Sequence, residues 1–250
     1  MIPASDFERF KQAPLVMATG YDFPFARILE EAGVDVILVG DSLANVVLGL
    51  PTTRDIDANV MAVFVGAVGR GAKDTHIMAD MPYGSDADPG LAVANAKRFL
   101  SLGAHSVKLE GPKFEVVKAL VSEGVPVMGH VGLLPQTARS FKQVGRDQAE
   151  RDQVLRAAEG LVAAGAMSLL LEHMASDLAA EITKRFPVPT VGIGAGPGVD
   201  GQVLVLHDFL GMHAGNYPPF VKAFADLHGA ALTGVKDYCR AVRTRAFPER

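Results

Sequence analysis

Cysteine is almost absent from this 250-residue sequence: Cys239 stands alone, so no internal disulfide can form, and its neighbours Tyr238 and Arg240 set up no metal-ligand spacing. A structural cysteine in a reducing cytosol is the expectation. Basic clusters are absent too. With 24 Lys and Arg against 28 Asp and Glu, the chain carries a net charge of -4 and lacks the positive face that nucleic acid or an anionic membrane surface requires. Small molecules are the expected partners. No apolar run approaches the roughly 20 residues that span a bilayer. The opening residues, Ile2-Pro3-Ala4-Ser5-Asp6-Phe7-Glu8-Arg9, put charges where a signal peptide needs its apolar segment. A cytoplasmic protein without membrane partners is therefore expected.

What the sequence does hold is apolar and glycine-rich: 49% hydrophobic residues and 26 Gly, with no biased run that reads as a linker. Short apolar runs recur at Pro14 to Met17, Asp35 to Val39, His76 to Ala79, Ser106 to Leu109, Pro126 to Gly129, Ser168 to Leu171, Thr190 to Ile193 and Val203 to Leu206. Between them, helical spacing marks Phe23 to Ala32, Ala58 to Gly69, Pro89 to Leu102, Phe114 to Glu123, Gln148 to Ala164 and Asp177 to Phe186. Gly33, Gly103, Gly124 and Gly165 each stop a helix just before a strand. Eight strands alternating with helices close a barrel. The expectation is an α/β fold, one (β/α)8 TIM barrel domain over residues 1–250, with terminal helices in the tail from Pro218 to Ala246. Strand eight is the ambiguous one, since Gly201 to Leu206 also reads as a helix start.

In such a barrel, catalytic groups gather at the C-terminal ends of the strands. Five consecutive strands here finish on an ionisable residue: Asp41, Asp80, Glu110, His130 and Glu172. Four carboxylates aimed at one mouth raise one another's pKa unless a cation intervenes, and for hard oxygen ligands that cation is Mg²⁺. Lys108 and Glu110 are two apart on a strand and share a face; a lysine beside a metal suits an anionic substrate. Blander readings exist. Asp41 alone reads equally as a helix N-cap, Glu110 as a local partner of Lys108, and His130 as a core histidine. Glu172 resists such a reading, because a carboxylate ending the apolar run Leu169-Leu170-Leu171 is costly unless it works or is paired. The other histidines show no ligand spacing. Gly192-Ile193-Gly194-Ala195-Gly196 lacks the helix start of a dinucleotide fingerprint and reads as a tight turn.

Taken together, Val39-Gly40-Asp41-Ser42-Leu43, Ala79-Asp80-Met81-Pro82, Val107-Lys108-Leu109-Glu110-Gly111, Gly129-His130-Val131-Gly132-Leu133, Pro135-Gln136, Leu171-Glu172, Asp200-Gly201-Gln202 and His207-Asp208 run in colinear order over nearly the whole chain. The chain thereby resembles the ketopantoate hydroxymethyltransferase family, a phosphoenolpyruvate/pyruvate-type barrel. The resemblance implies transfer of a hydroxymethyl group from 5,10-methylenetetrahydrofolate to the 2-oxo acid 3-methyl-2-oxobutanoate, giving 2-dehydropantoate in pantothenate biosynthesis through a Mg²⁺-stabilised enolate. By position it implies Asp41, Asp80 and Glu110 as Mg²⁺ ligands, Asp41, Ser42, Asp80 and Lys108 as substrate contacts, and Glu172 and His130 as catalytic residues. It also implies a cytoplasmic homo-oligomer, a decamer in the family.

The sequence departs from the family pattern at Ser140-Phe141-Lys142-Gln143-Val144-Gly145, which is shortened and lacks paired glycines, at Phe64 in place of histidine, at Pro112 in place of a second glycine, and in a trimmed first βα unit. Two alternatives follow: a related Mg²⁺-dependent barrel acting on another 2-oxo acid by lyase or mutase chemistry, and a non-catalytic paralogue.

Overall fold

The computed structural model of the chain describes residues 2–213, 215 and 217–248, the side chains of Ala4 and Ser5 apart. The described chain forms two compact units that divide after Val203. The first contains the expected barrel. Strands β1 (Leu15–Thr19), β2 (Val36–Val39), β3 (His76–Asp80), β4 (Ser106–Glu110), β5 (Val127–Gly132), β6 (Ser168–Glu172), β7 (Thr190–Ile193) and β8 (Gly201–Leu204) close in sequence order. Each consecutive pair is parallel. The connecting helices are α1 (Phe23–Glu31), α2 (Leu43–Val46), α3 (Ala58–Gly71), α4 (Pro89–Ser101), α5 (Phe114–Ser122), α6 (Gln148–Ala163) and α7 (Ser176–Arg185). Among the described residues no helix lies between β7 and β8.

Local chemistry explains where the helices begin and end. Asp22, Asp57, Asp88 and Asp147 cap α1, α3, α4 and α6, each carboxylate accepting from a first-turn amide. The four glycines expected to stop helices all adopt positive φ, from 75° at Gly124 to 112° at Gly103.

Alternate residues of each strand face the barrel lumen. There Leu15, Met17, Val36, Leu38, Met78, Met128, Leu170, Val191 and Val203 form the core, joined by Phe7 and Phe10 from an N-terminal 3-10 helix, Ala4–Lys11. Burying a side chain such as Phe7 contributes about 1.5–3 kcal/mol; Phe7→Ala would cost more, because a cavity remains. His76 is also in this region, its ring nitrogens 2.9 Å from the Ile2 carbonyl and 2.8 Å from Ser106 Oγ. Burial drives its pKa down to about 4. That is a satisfied structural histidine, as the sequence suggested.

Two expectations need correcting. Strand eight starts at Gly201, two residues before Val203, and Leu206 opens a short helix, α8 (Leu206–Phe209). The tail carries one helix among its described residues, α9 (Leu227–Arg243), rather than several; Pro218 to Ala225 is irregular. The second unit is built by backbone bonds from Phe224, Leu227 and His228 to Phe209, Leu210 and Gly211. Asp226 caps α9 through the Gly229 amide. No helix among the described residues is long and apolar enough to cross a membrane.

Candidate active site

The lumen-facing alternation that builds the apolar core continues upward, and it carries polar residues once the strands reach their C-terminal ends. On β4 the residues in phase are Ser106, Lys108 and Glu110; on β3, His76, Met78 and Asp80. Parallel register then sets partners: Asp80 lies beside Lys108, and Glu110 beside His130.

Asp41, Asp80, Lys108, Glu110 and His130 are all buried. Lys108 Nζ lies 2.7 Å from Asp80 Oδ1. The local Lys108–Glu110 pair is not formed; register puts Asp80 opposite the lysine, whereas residues two apart along a strand are farther away. The other Asp80 oxygen accepts from the Asp41 amide at 2.9 Å. Asp41 does not cap α2, whose N-cap is Ser42. Its Oδ2 instead accepts from Gln136 Nε2 at 2.8 Å. Ser42 Oγ is 2.8 Å from the hydroxyl of buried Tyr21.

Gln136 is a site residue that inspection of strand ends missed. Buried in the loop after β5, it donates through Nε2 to Asp41 and to the Met81 carbonyl, and through its backbone N–H to Glu110 Oε2 at 3.0 Å. Three strand ends are tied by one side chain and its amide. The Pro135-Gln136 motif was its only signal.

Glu172 stands at the opening, its side chain 18% exposed, with Oε2 3.4 Å from His130 Nε2. Gly132 (φ 101°) lets the backbones of β5 and β6 pair closely at Glu172, since a Cβ there would overlap the Glu172 carbonyl oxygen. His130 Nδ1 is 3.7 Å from Glu110 Oε1. Neither ring nitrogen makes a well-aligned hydrogen bond.

One lysine cannot neutralise this many buried carboxylates. Burial, then the Asp80 charge, pushes Asp41 up to about 7 against the pull of Lys108 and Gln136. Burial raises Glu110 to about 8 despite Lys108, with Asp41 adding to the rise. Glu172 is raised to about 8 by burial and then by Glu110. Burial opposes the Lys108 charge, but Asp80, Glu110 and Asp41 outweigh it and hold the ammonium above its ordinary range. Burial, then Lys108, holds the His130 pKa well below 6.5, with the Leu133 backbone opposing, so the imidazole is neutral.

Among the described residues, no three His, Cys, Asp or Glu side chains converge as they stand on a point that would hold a metal. Asp80 is drawn to Lys108 and Glu110 to the Gln136 amide. The donor chemistry still fits a hard cation: carboxylate oxygens, closely buried, whose mutual repulsion is incompletely balanced.

Solved structures with this architecture include 2,3-dimethylmalate lyase, a PEP mutase/isocitrate lyase superfamily member, with a TM-score of 0.64 at 16% identity, covering 100% of this chain and 91% of that one. Phosphonopyruvate hydrolase in complex with oxalate and Mg²⁺ has a TM-score of 0.66 at 14% identity, covering 100% and 92%. The fold shared with these structures is the closed (β/α)8 barrel, and the site defines a barrel with carboxylates gathered at its C-terminal mouth. Sequence narrows this further. A model of ketopantoate hydroxymethyltransferase matches residues 2–250. The 3-methyl-2-oxobutanoate hydroxymethyltransferase of Staphylothermus marinus is 45% identical over 242 residues, 94% of this chain and 89% of that one. Its counterpart from Bdellovibrio bacteriovorus is 45% identical over 247 residues, 96% and 94%. The chain belongs to the ketopantoate hydroxymethyltransferase family.

Proposed function

We propose that this chain transfers a hydroxymethyl group from 5,10-methylenetetrahydrofolate to 3-methyl-2-oxobutanoate, with water supplying the hydroxyl, to release 2-dehydropantoate and tetrahydrofolate in the cytoplasmic route to pantothenate. The observation that carries this reading is the buried Asp41–Asp80–Lys108–Glu110 cluster with Glu172 at its edge, in a chain of this family.

A 2-oxo acid brings a carboxylate and a keto oxygen, and the positively charged Lys108 supplies the complement to both. Ser42, held by Tyr21, adds a hydroxyl beside them. Asp41, Asp80 and Glu110 would hold Mg²⁺. When bound, the ion would polarise the keto group and stabilise the charge left when the C3 proton departs. Glu172 is the base that takes this proton. A carbon-bound proton needs a base stronger than an ordinary carboxylate, and desolvation raises Glu172 to about 8. Neutral His130, 3.4 Å away, offers one donor and one acceptor for orienting that carboxylate. Opening of the bridged one-carbon unit and addition of water to it give a hydroxymethyl group on one folate nitrogen, the other nitrogen taking a proton; C3 attacks the hydroxymethyl carbon as its remaining carbon–nitrogen bond breaks, and that nitrogen leaves protonated as tetrahydrofolate.

The test is product formation by purified protein with Mg²⁺, 5,10-methylenetetrahydrofolate and 3-methyl-2-oxobutanoate, alongside deuterium exchange at C3 of the keto acid. Exchange and 2-dehydropantoate are both expected. Exchange without transfer favours the second reading, lyase or mutase chemistry on another 2-oxo acid, to which the altered Ser140–Gly145 segment and its exposed Phe141 lend weight. Neither exchange nor product would sink both.

A further inference from the structure

Strand β6 ends on Glu172, and the chain bends immediately after it. The last ladder bonds hold Glu172 on both sides: its carbonyl accepts from the Leu133 amide at 2.9 Å, and the next amide, that of His173, donates to the Ile193 carbonyl of β7 at 2.8 Å. His173 then takes a φ of 42°, in the left-handed region that few residues other than glycine adopt. A side chain at that angle crowds the following carbonyl, so the surrounding structure has to hold it there. What holds it comes from the loop after β5. Val144 pairs with Met174 in an isolated parallel bridge, its amide donating to the His173 carbonyl at 3.0 Å and its carbonyl accepting from the Ala175 amide at 2.9 Å. Gln143 Nε2 adds a longer bond, 3.3 Å, to the Met174 carbonyl. The loop is tied in turn to α6, because the Glu150 carboxylate accepts from the Gly145 and Arg146 amides at 2.8 and 3.2 Å.

A straight continuation of β6 would send residue 174 into the lumen above Glu172. The bend turns the chain aside towards α7, which opens at Ser176, and seats the buried Met174 against Gly132, the β5 partner of Glu172. Glu172 is left at the opening with its side chain 18% exposed. Backbone strain is kept where the geometry of a working group depends on it, and a misplacement of about 1 Å at a reacting group can cost about 100-fold in rate. We propose that residues 143–145 are a strap that clamps the left-handed bend, and that His173 is a positioning residue through which the strap fixes the direction of the Glu172 carboxylate. The proposal rests on the reading of Glu172 as the base. It gives the altered residues 140–145 a consequence at that base that requires no contact with substrate.

Deuterium exchange at C3 of the keto acid by the Mg²⁺-loaded protein, read as kcat and KM, tests it. His173→Val, whose branched side chain is excluded from the left-handed region, is expected to lower kcat about tenfold or more with KM within about twofold. His173→Gly, which takes that angle without strain, is expected to recover kcat to within about threefold of wild type. In a Glu172→Gln background, His173→Val is expected to leave the residual exchange within about twofold, because nothing remains for it to aim. A bend needed only for folding would lower exchange by the same factor in both backgrounds, and that result overturns the strap while the base reading stands. Wild-type kcat in folded His173→Val does the same. If His173→Val does not fold, Glu150→Ala decides, since it frees the strap from α6 without touching a site residue. A kcat lowered about threefold or more with Glu172 present, and not in Glu172→Gln, supports the strap, and an unchanged kcat overturns it. A wild type that exchanges nothing at C3, or a Glu172→Gln variant that exchanges as wild type does, overturns the base reading and the strap together.

Discussion

Gln136 adds no charge to the cluster, yet its side chain bonds Asp41 while its own backbone bonds Glu110, which no other described residue does. Residues that orient ligating carboxylates commonly matter to metal affinity or activity by about 10- to 100-fold. Gln136→Ala is expected to lower Mg²⁺-dependent C3 exchange in that range, with the Mg²⁺ titration curve moved to higher concentration. An unmoved curve would make Gln136 a packing residue only. The same cluster makes a prediction about pH. Asp41, Glu110 and Glu172 have folded pKa values of about 7, 8 and 8, above their ordinary 3.8, 4.5 and 4.5. The folded state thus holds protons that the unfolded chain releases. Their stabilising contribution is fully present below the unfolded values and is lost as pH rises through the folded ones. Metal-free protein is expected to show a Tm that falls between about pH 5 and pH 8, and Mg²⁺, which needs ionised carboxylates, to raise Tm more at the upper end. A calorimetric series giving equal Mg²⁺ shifts at both ends would contradict this.

At the level of strands and helices, the sequence was legible wherever the local signal was also the structural cause. Asp caps and glycine stops bound the helices, and all six helices read from periodicity agree with α1 and α3 to α7 to within two residues at either end. The gathering of Asp80, Glu110, His130 and Glu172 at one mouth was legible for the same reason, because period-two alternation turns each of them towards the lumen, whereas Asp41 lies past the end of β2 and out of phase. Two features were not. Gln136 sits in a loop, where periodicity says nothing. Strand eight was misplaced because glycine reads as a strand breaker, whereas Gly201 belongs to the strand: a Cβ there would lie 2.7 Å from Leu15 Cβ and 2.5 Å from the Leu15 carbonyl oxygen. Only a residue without a side chain lets the backbone pass so close to β1. Gly201→Ala is therefore expected to destabilise the barrel by about 1–3 kcal/mol through forced displacement at Leu15. A denaturant midpoint unchanged from wild type would show that β1 yields without cost.

At the scale of the whole molecule, the question is what covers the surface of α9. None of the described residues of this 17-residue helix is buried. Leu232, Val235, Tyr238 and Val242 recur at helical spacing and are 44–60% exposed. Scattered apolar residues on a surface require no explanation, but a stripe along one helix face does, and a symmetric pairing of copies is a common way to cover one. A homo-oligomer, implied by the family resemblance, is accordingly expected here with α9 in a contact between copies. Light scattering coupled to size exclusion should return a multiple of the chain mass. Val235→Glu should shift the distribution towards smaller species, because a carboxylate in an apolar contact either stays buried without a partner or keeps the copies apart. An oligomer of unchanged mass in that variant would place the contact on another surface and leave the α9 stripe open to solvent.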